Sequence, residues 1–383
     1  MEQISVIVPI FNNEEFVEKC VRSILAQTHP NLQIVLVNDG STDSSLQICQ
    51  RLRDADERVL VVDKEHSGTV HTRQRGLSVA TGEWIGWVDA DDWVEQDYFL
   101  QLAESQVQTG ADIIAADLYI DIGYDSQRVS NTIPKGVYKC DQILSNLIYS
   151  GRFFEYGLQP HLVTKLIRKK ILEKTQPSVD QRIRVGEDIA VVYPSVLEAE
   201  AIAVTDICGY HYVQHANSVT KVLYQDERES LQHLMNYLYC TAEKKRVFTA
   251  LESQLAQLEK YLMFLRLLPL LDQQILLPYG GIPYHSRVVI YGAGVSGQQI
   301  YRYLSDSHIV DVTLWVDKNA AYYQNEGFPV CLPEAIKGLG NEYDYVLIAN
   351  TSESSAGSIQ DFLMQLQVPP KKIRWFSQAF LDI

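Results

Sequence analysis

The segment Glu83-Trp84-Ile85-Gly86-Trp87-Val88 runs into Asp89-Ala90-Asp91-Asp92-Trp93, so an apolar strand stops at three carboxylates within four residues. Carboxylates this close repel one another and are costly unless something positive joins them. Hard oxygen ligands at a strand end suit Mg2+ or Mn2+, which take one or two carboxylates and complete their shells with phosphate oxygens. Asp89 and Asp91 are therefore candidate metal ligands, and a cation there would offset a diphosphate and stabilise it as a leaving group. The plainer alternative is that Asp91 or Asp92 caps a helix that follows.

A second pattern lies far downstream. Gly292, Gly294 and Gly297 in Tyr291-Gly292-Ala293-Gly294-Val295-Ser296-Gly297 fit G-x-G-x-x-G, after an expected strand and before an expected helix, and Asp317 ends the next strand. That context is what a dinucleotide fingerprint requires, because glycines let a phosphate approach the helix N-terminus. No Tyr-x-x-x-Lys pair follows it, so a complete dehydrogenase is disfavoured. Nucleotide binding, structural support and subunit association all stay open for this segment.

The elements that must position these groups follow from periodicity. Ile4–Pro9, Leu32–Asn38, Val59–Asp63 and Trp84–Val88 read as buried strands, alternating with helices at Glu14–Gln27, Asp43–Asp54 and Thr69–Ala80. Such alternation predicts an α/β fold with a mostly parallel central sheet covered on both faces, and ligands beyond the carboxyl ends of its strands. Residues 112–220 are less regular, and 225–278 read as continuously helical, with Leu231, Leu234, Leu238, Leu251, Leu255, Leu258 and Leu262 at helical spacing. Tyr279-Gly280-Gly281-Ile282-Pro283 breaks that run. Strands at Arg287–Tyr291, Val310–Asp317, Tyr343–Ala349 and Ile373–Phe376, with a helix at Val295–Ser305, then predict a small C-terminal Rossmann-like α/β domain. The expected division is 1–220, a helical connector at 221–284, and 285–383.

With 383 residues, two domains are the default. A net charge of −15 disfavours nucleic acid as a partner and means that a phosphorylated ligand needs local positive charge. The six cysteines are scattered without a CxxC pair, and Met1-Glu2-Gln3 leads straight into the first strand, so a reducing cytoplasm is expected. The apolar stretch Tyr261–Leu277 is interrupted by Arg266, Pro269 and Asp272, too broken for a span of about 20 apolar residues.

Three segments at strand ends, Val8-Pro9-Ile10-Phe11-Asn12, Val37-Asn38-Asp39-Gly40-Ser41-Thr42-Asp43 and Asp89-Ala90-Asp91-Asp92, resemble the nucleotide-sugar segments of family 2 inverting glycosyltransferases. The resemblance covers roughly residues 1–220 and implies a GT-A fold, a UDP-sugar donor and a metal ion. By that match Pro9, Phe11 and Glu14 meet the nucleoside, and Asp39 accepts the uracil N–H within the turn that Gly40 and Ser41 complete. Asp39 to Ser41 would also suit a plain turn. Asp89, Ala90 and Asp91 fall at the diphosphate and metal, and Arg73 keeps the position whose cation reaches ribose or diphosphate, although His66, Thr72 and Gln74 depart from the family's usual residues. Glu187-Asp188, ahead of an apolar run, resembles the family's acidic pair, implying Asp188 as catalytic base beside Glu187; a helix N-terminus is the alternative. Lys165 matches a position for phosphate or acceptor. His211 and His215 stand near where the family carries an arginine, replaced here by Val213.

The resemblance implies transfer of a sugar from a UDP-sugar to a glycan or lipid-linked acceptor in bacterial surface polysaccharide synthesis, with Mn2+ or Mg2+ as cofactor. A lipid-linked acceptor would add peripheral contact with the inner membrane face, and the helices at 225–278 are a candidate homodimer surface. Two alternatives compete. A sugar nucleotidyltransferase would carry a Gly-rich cationic loop after its first strand, where this chain has Pro9-Ile10-Phe11-Asn12-Asn13. An NAD-linked sensor would act through the C-terminal glycines.

Overall fold

A computed structural model describes residues 2–123, 125–152, 155–215, 226–267, 278–307 and 309–377. The end of the expected helical run (268–277) and Ala216 to Ser218, which follow His215, lie outside the described residues. The chain divides into two units, one of residues 1–150, 156–214 and 228–256, the other of residues 151–155, 215–227 and 257–383.

The first unit opens with the expected alternation. β1 (Ile4–Ile10), β2 (Leu32–Asp39), β3 (Val59–Lys64) and β4 (Trp84–Trp87) are mutually parallel in the order β3-β2-β1-β4. Their side chains are apolar on both faces because α1 (Val17–Leu25), α2 (Ser45–Ala55) and α3 (Thr69–Val79) cover the sheet. α1 begins three residues later than its periodicity predicts. The backbone N–H groups of Asn13 and Glu14 are taken by Ser45 Oγ (2.8 Å) and Asp43 Oδ2 (3.0 Å), which draws this stretch into a loop.

Beyond β4 the sheet becomes mixed. β5 (Trp93–Val94) and α4 (Tyr98–Thr109) come next, and β6 (Ile113–Ile122), β7 (Asp125–Val129), β8 (Gly136–Tyr138), α5 (Cys140–Ile143), β9 (Lys165–Arg168), α6 (Lys169–Thr175), α7 (Glu187–Glu198) and β10 (Ile202–Val213) fall in the less regular region 112–220. The order continues β4-β9-β6-β10-β5, with β9 antiparallel to both β4 and β6, and β10 parallel to β6. α8 (Glu227–Lys244) and α9 (Phe248–Leu267) replace the continuous helix expected at 225–278, and the break contains Arg246 in a left-handed conformation (φ 60°). Leucines at the helical spacing of these two helices are buried, Leu234 at 0% and Leu255 at 1% exposure.

The second unit holds β11 (Arg287–Tyr291), α10 (Val295–Ser307), β12 (Asp311–Val316), α11 (Ala320–Asn325), β13 (Val330–Cys331), β14 (Tyr345–Ile348), α12 (Glu353–Gln365) and β15 (Ile373–Arg374). Its five strands are all parallel, ordered β13-β12-β11-β14-β15. Among the described residues, that is the order of the first five strands of a doubly wound sheet. Among the described residues no helix is long and apolar enough to cross a membrane.

Candidate active site

Because β1 and β2 are parallel neighbours, their carboxyl ends deliver two loops to one edge, and polar side chains stitch those loops together. Asn12, at φ 51°, accepts from Thr42 N–H (2.8 Å) and donates its own N–H to Ser41 Oγ (3.0 Å). Glu14 accepts from Ser44 N–H (2.9 Å). Gly40 (φ 69°) tolerates no side chain, since a Cβ there would lie 2.7 Å from His66 N. Phe11, 43% exposed, stacks on the His66 ring at 4.2 Å, presenting an aromatic surface beside Asp39.

Asp39 is 3% exposed and accepts from the N–H groups of Ser67 and Gly68, both at 2.9 Å, and from Lys64. Burial works against its charge, but Lys64 and the two N–H groups hold the carboxyl below its ordinary range. His66 Nδ1 lies 3.0 Å from the same carboxylate and is more than half exposed, which makes it the partner a ligand can displace. The structure thus gathers Pro9, Phe11, Glu14, Asp39, Gly40 and Ser41 at one edge and adds Lys64, which the sequence reading passed over.

The acidic cluster resolves into separate roles. Asp92 is 1% exposed and accepts from Tyr210 O–H (2.6 Å) and Val213 N–H (2.8 Å). It caps no helix, because the next element is β5, paired antiparallel with β10. Burial, with Asp91 and Asp89 nearby, pushes its carboxyl well up. Tyr210 Oη also accepts from Asp89 N–H (3.1 Å), so β10 braces the whole turn. Asp89 accepts from Arg73 Nη2 at 3.1 Å; burial, then Asp188 and Asp91, raise its carboxyl against the pull of Arg73. Ala90 is buried and Asp91 half-buried. Among the described residues no three carboxylate, imidazole or thiol groups gather as a metal cage.

Arg73 is the hub. It is 3% exposed on α3 and joins Asp89, Asp188 and, at 3.8 Å, Glu187, so carboxylates from the end of β4 and the start of α7 meet on one guanidinium. Burial opposes its charge, but the three carboxylates outweigh that and raise its pKa. Glu187 is raised by burial and by Asp188. Asp188 Oδ2 also accepts from Leu162 N–H at 3.0 Å.

The weaker candidates separate from this hub. Lys165, expected to reach phosphate or acceptor, is 1% exposed on β9, with its ammonium on Thr164 Oγ1 (2.7 Å) and the His161 carbonyl (3.2 Å). His211 hydrogen-bonds Asp121 (3.0 Å), and its ring stacks between Trp93 (3.7 Å) and Tyr119 (4.9 Å), so these contacts commit it to bracing β5, β6 and β10. His215 belongs to the second unit.

This geometry has counterparts. Residues 5–174 match the model of glycosyl transferase family 2. That match covers less than half of the chain. The chain is 42% identical over 118 residues to glycosyltransferase GlyA of Streptococcus pneumoniae, across 31% of this chain and 17% of that protein. It is 29% identical over 230 residues to the uncharacterized glycosyltransferase EpsJ of Bacillus subtilis, across 58% of this chain and 64% of that one. This chain therefore spans less than two thirds of the length of either relative. In three dimensions, Staphylococcus aureus TarS residues 1–349, solved in complex with UDP-GlcNAc, superposes with a TM-score of 0.56 at 20% identity. That match covers 71% of this chain and 76% of TarS 1–349 and shows a shared fold.

Farther along the chain, residues 284–374 match the model "C2185-like, N-terminal". Here the structure brings Gly292, Gly294, Gly297 and Asp317 together at the carboxyl ends of β11 and β12. Gly292 has φ 112°, and a Cβ on Gly297 would lie 2.1 Å from Gly292 O. Asp317 accepts from Ala293 N–H (2.7 Å) and Asn319 N–H (2.8 Å), closing the turn upon itself.

Proposed function

We propose that the chain is an inverting glycosyltransferase that moves a sugar from a UDP-sugar to a glycan or lipid-linked hydroxyl in surface polysaccharide synthesis. The observation that carries this reading is the convergence of Asp89, Glu187 and Asp188 on buried Arg73, beside the strand edge that holds Asp39 and Phe11. The named relatives are glycosyltransferases, and TarS, which shares the fold, binds UDP-GlcNAc; both support the reading.

Phe11 offers a stacking face for uracil, and Asp39, kept ionised, accepts its imide N–H where His66 now lies. Arg73 places positive charge beside the carboxylates, where the diphosphate must sit. Asp188 takes the proton of the acceptor hydroxyl, with Glu187 beside it to orient the acceptor. A divalent cation suits the donor set, since Asp89 and Asp91 are carboxylates two residues apart, Asp89 being raised by burial and then by neighbouring carboxylates, and such ions need only one or two protein carboxylates beside phosphate. Bound there by Asp89 and Asp91, Mn2+ or Mg2+ would neutralise the departing diphosphate.

Asp91→Ala tests this directly. Metal-dependent UDP binding, read by calorimetry with and without Mn2+, is expected to vanish together with release of sugar from UDP-sugars. Unchanged binding and turnover would remove both the metal and the site.

A further inference from the structure

Lys165 is a buried cation that the proposed chemistry leaves unused. The two oxygens that its Nζ meets, Thr164 Oγ1 and His161 O, are both uncharged. His161 O also accepts from Thr164 Oγ1 (2.9 Å) and Thr164 N–H (3.3 Å), so donors crowd one carbonyl. That carbonyl belongs to the peptide joining His161 to Leu162. The N–H of the same peptide is the group that donates to Asp188 Oδ2 at 3.0 Å. The two ends of a peptide are conjugated, so positive charge held on the oxygen makes the N–H a stronger donor, and linked hydrogen bonds polarise one another.

We infer that Lys165 is a positioning residue that acts on Asp188 through the His161–Leu162 peptide, orienting the carboxylate and strengthening the hydrogen bond it accepts. This rests on the reading of Asp188 as the base. The arrangement divides the work between two cations: Arg73 meets Oδ1 directly and is shared with Asp89 and Glu187, whereas Lys165 serves Oδ2 through one peptide. β9 lies hydrogen-bonded between β4 and β6, so the sheet sets where the ammonium stands.

The charges around Asp188 fit this picture. Burial lowers the Lys165 ammonium and the carboxylates of Asp188 and Asp117 offset part of that, leaving it at about 7, so Lys165 and Asp188 sense each other. Burial likewise lowers His161 to about 4, leaving its imidazole neutral at ordinary pH. Arg73 from α3, Glu187 from α7 and Asp89 at the end of β4 complete the set.

The test is Lys165→Met in the full chain, with sugar release from UDP-GlcNAc and UDP-glucose followed between pH 5 and pH 9 in Mn2+. We expect kcat to fall about tenfold and the acidic limb of the kcat profile to move up by about half a pH unit or more. KM for the donor should stay within about twofold. The melting temperature should hold or rise, because an apolar side chain of similar volume replaces a buried charge. Thr164→Val, which removes a hydroxyl donor yet keeps the ammonium, should move the same limb by less. A Lys165→Met profile superimposable on the wild type would overturn the inference, as would an effect confined to KM for the donor, which would mean that Lys165 touches ligand. Asp188→Asn separates the two readings. If it retains turnover, the base assignment fails and this inference with it; if it abolishes turnover while Lys165→Met leaves the profile unmoved, only the inference fails.

Discussion

Each unit carries an aspartate at the end of the second strand of a parallel set, Asp39 at the end of β2 and Asp317 just after β12, and each accepts backbone N–H groups from a glycine-bearing loop. Their electrostatics differ. Asp39 sits against Lys64 and is held below the ordinary carboxylate range, whereas burial raises Asp317 despite its two N–H donors and neighbouring Lys318. Around Asp39 the first unit adds an exposed aromatic stack and, on α3, a buried arginine meeting three carboxylates. The second unit spends its aspartate on closing its own turn. Similar strand–turn–helix geometry therefore does not carry similar chemistry; opposed charges held out of water do.

The largest effect that would sharpen this contrast is expected from Arg73→Met. It leaves Asp89, Asp188 and Glu187 facing one another without their cation, at a cost of about 3–5 kcal/mol in urea unfolding. Sugar release should be lost with it, and a variant of wild-type stability would show that the hub is dispensable. Next comes Gly297→Ala, whose Cβ would meet Gly292 O at 2.1 Å. Overpacking against backbone costs about 1–3 kcal/mol, read as a lower melting temperature, and an unshifted melt would mean that the turn is loose. The smallest effect on the fold should come from Phe11→Ala, because that ring is 43% exposed. Its melting temperature should barely move while UDP affinity drops about tenfold, the value of one aromatic stack on a base. Equal UDP affinity would show that the Phe11 face is not where the nucleoside lies.

Much of the first half was legible because strands buried on both faces write themselves as unbroken apolar runs: β1 to β4 fall where Ile4, Leu32, Val59 and Trp84 begin such runs. β9 was not legible. Four residues, Lys165–Arg168, join the sheet between β4 and β6 only through long-range antiparallel pairing, which no local period announces. β13, two residues long at the edge of the second sheet, was hidden for the same reason. Within the acidic cluster, spacing could not separate Asp92 from Asp91. Tyr210 and Val213, more than a hundred positions away in the chain, decide that Asp92 is the buried strut.

What the sequence by itself determined is the parallel frame and the placing of loops such as Asn12, Asp39 and Asp89 at strand ends, since apolar runs and turn residues act over a few neighbours. The tertiary structure alone decided which charges meet: Arg73 with Asp188, Lys64 with Asp39, and Lys165 with the carbonyl before Leu162. Those pairings depend on distance through space, and their strength comes from the exclusion of water by elements remote in the chain.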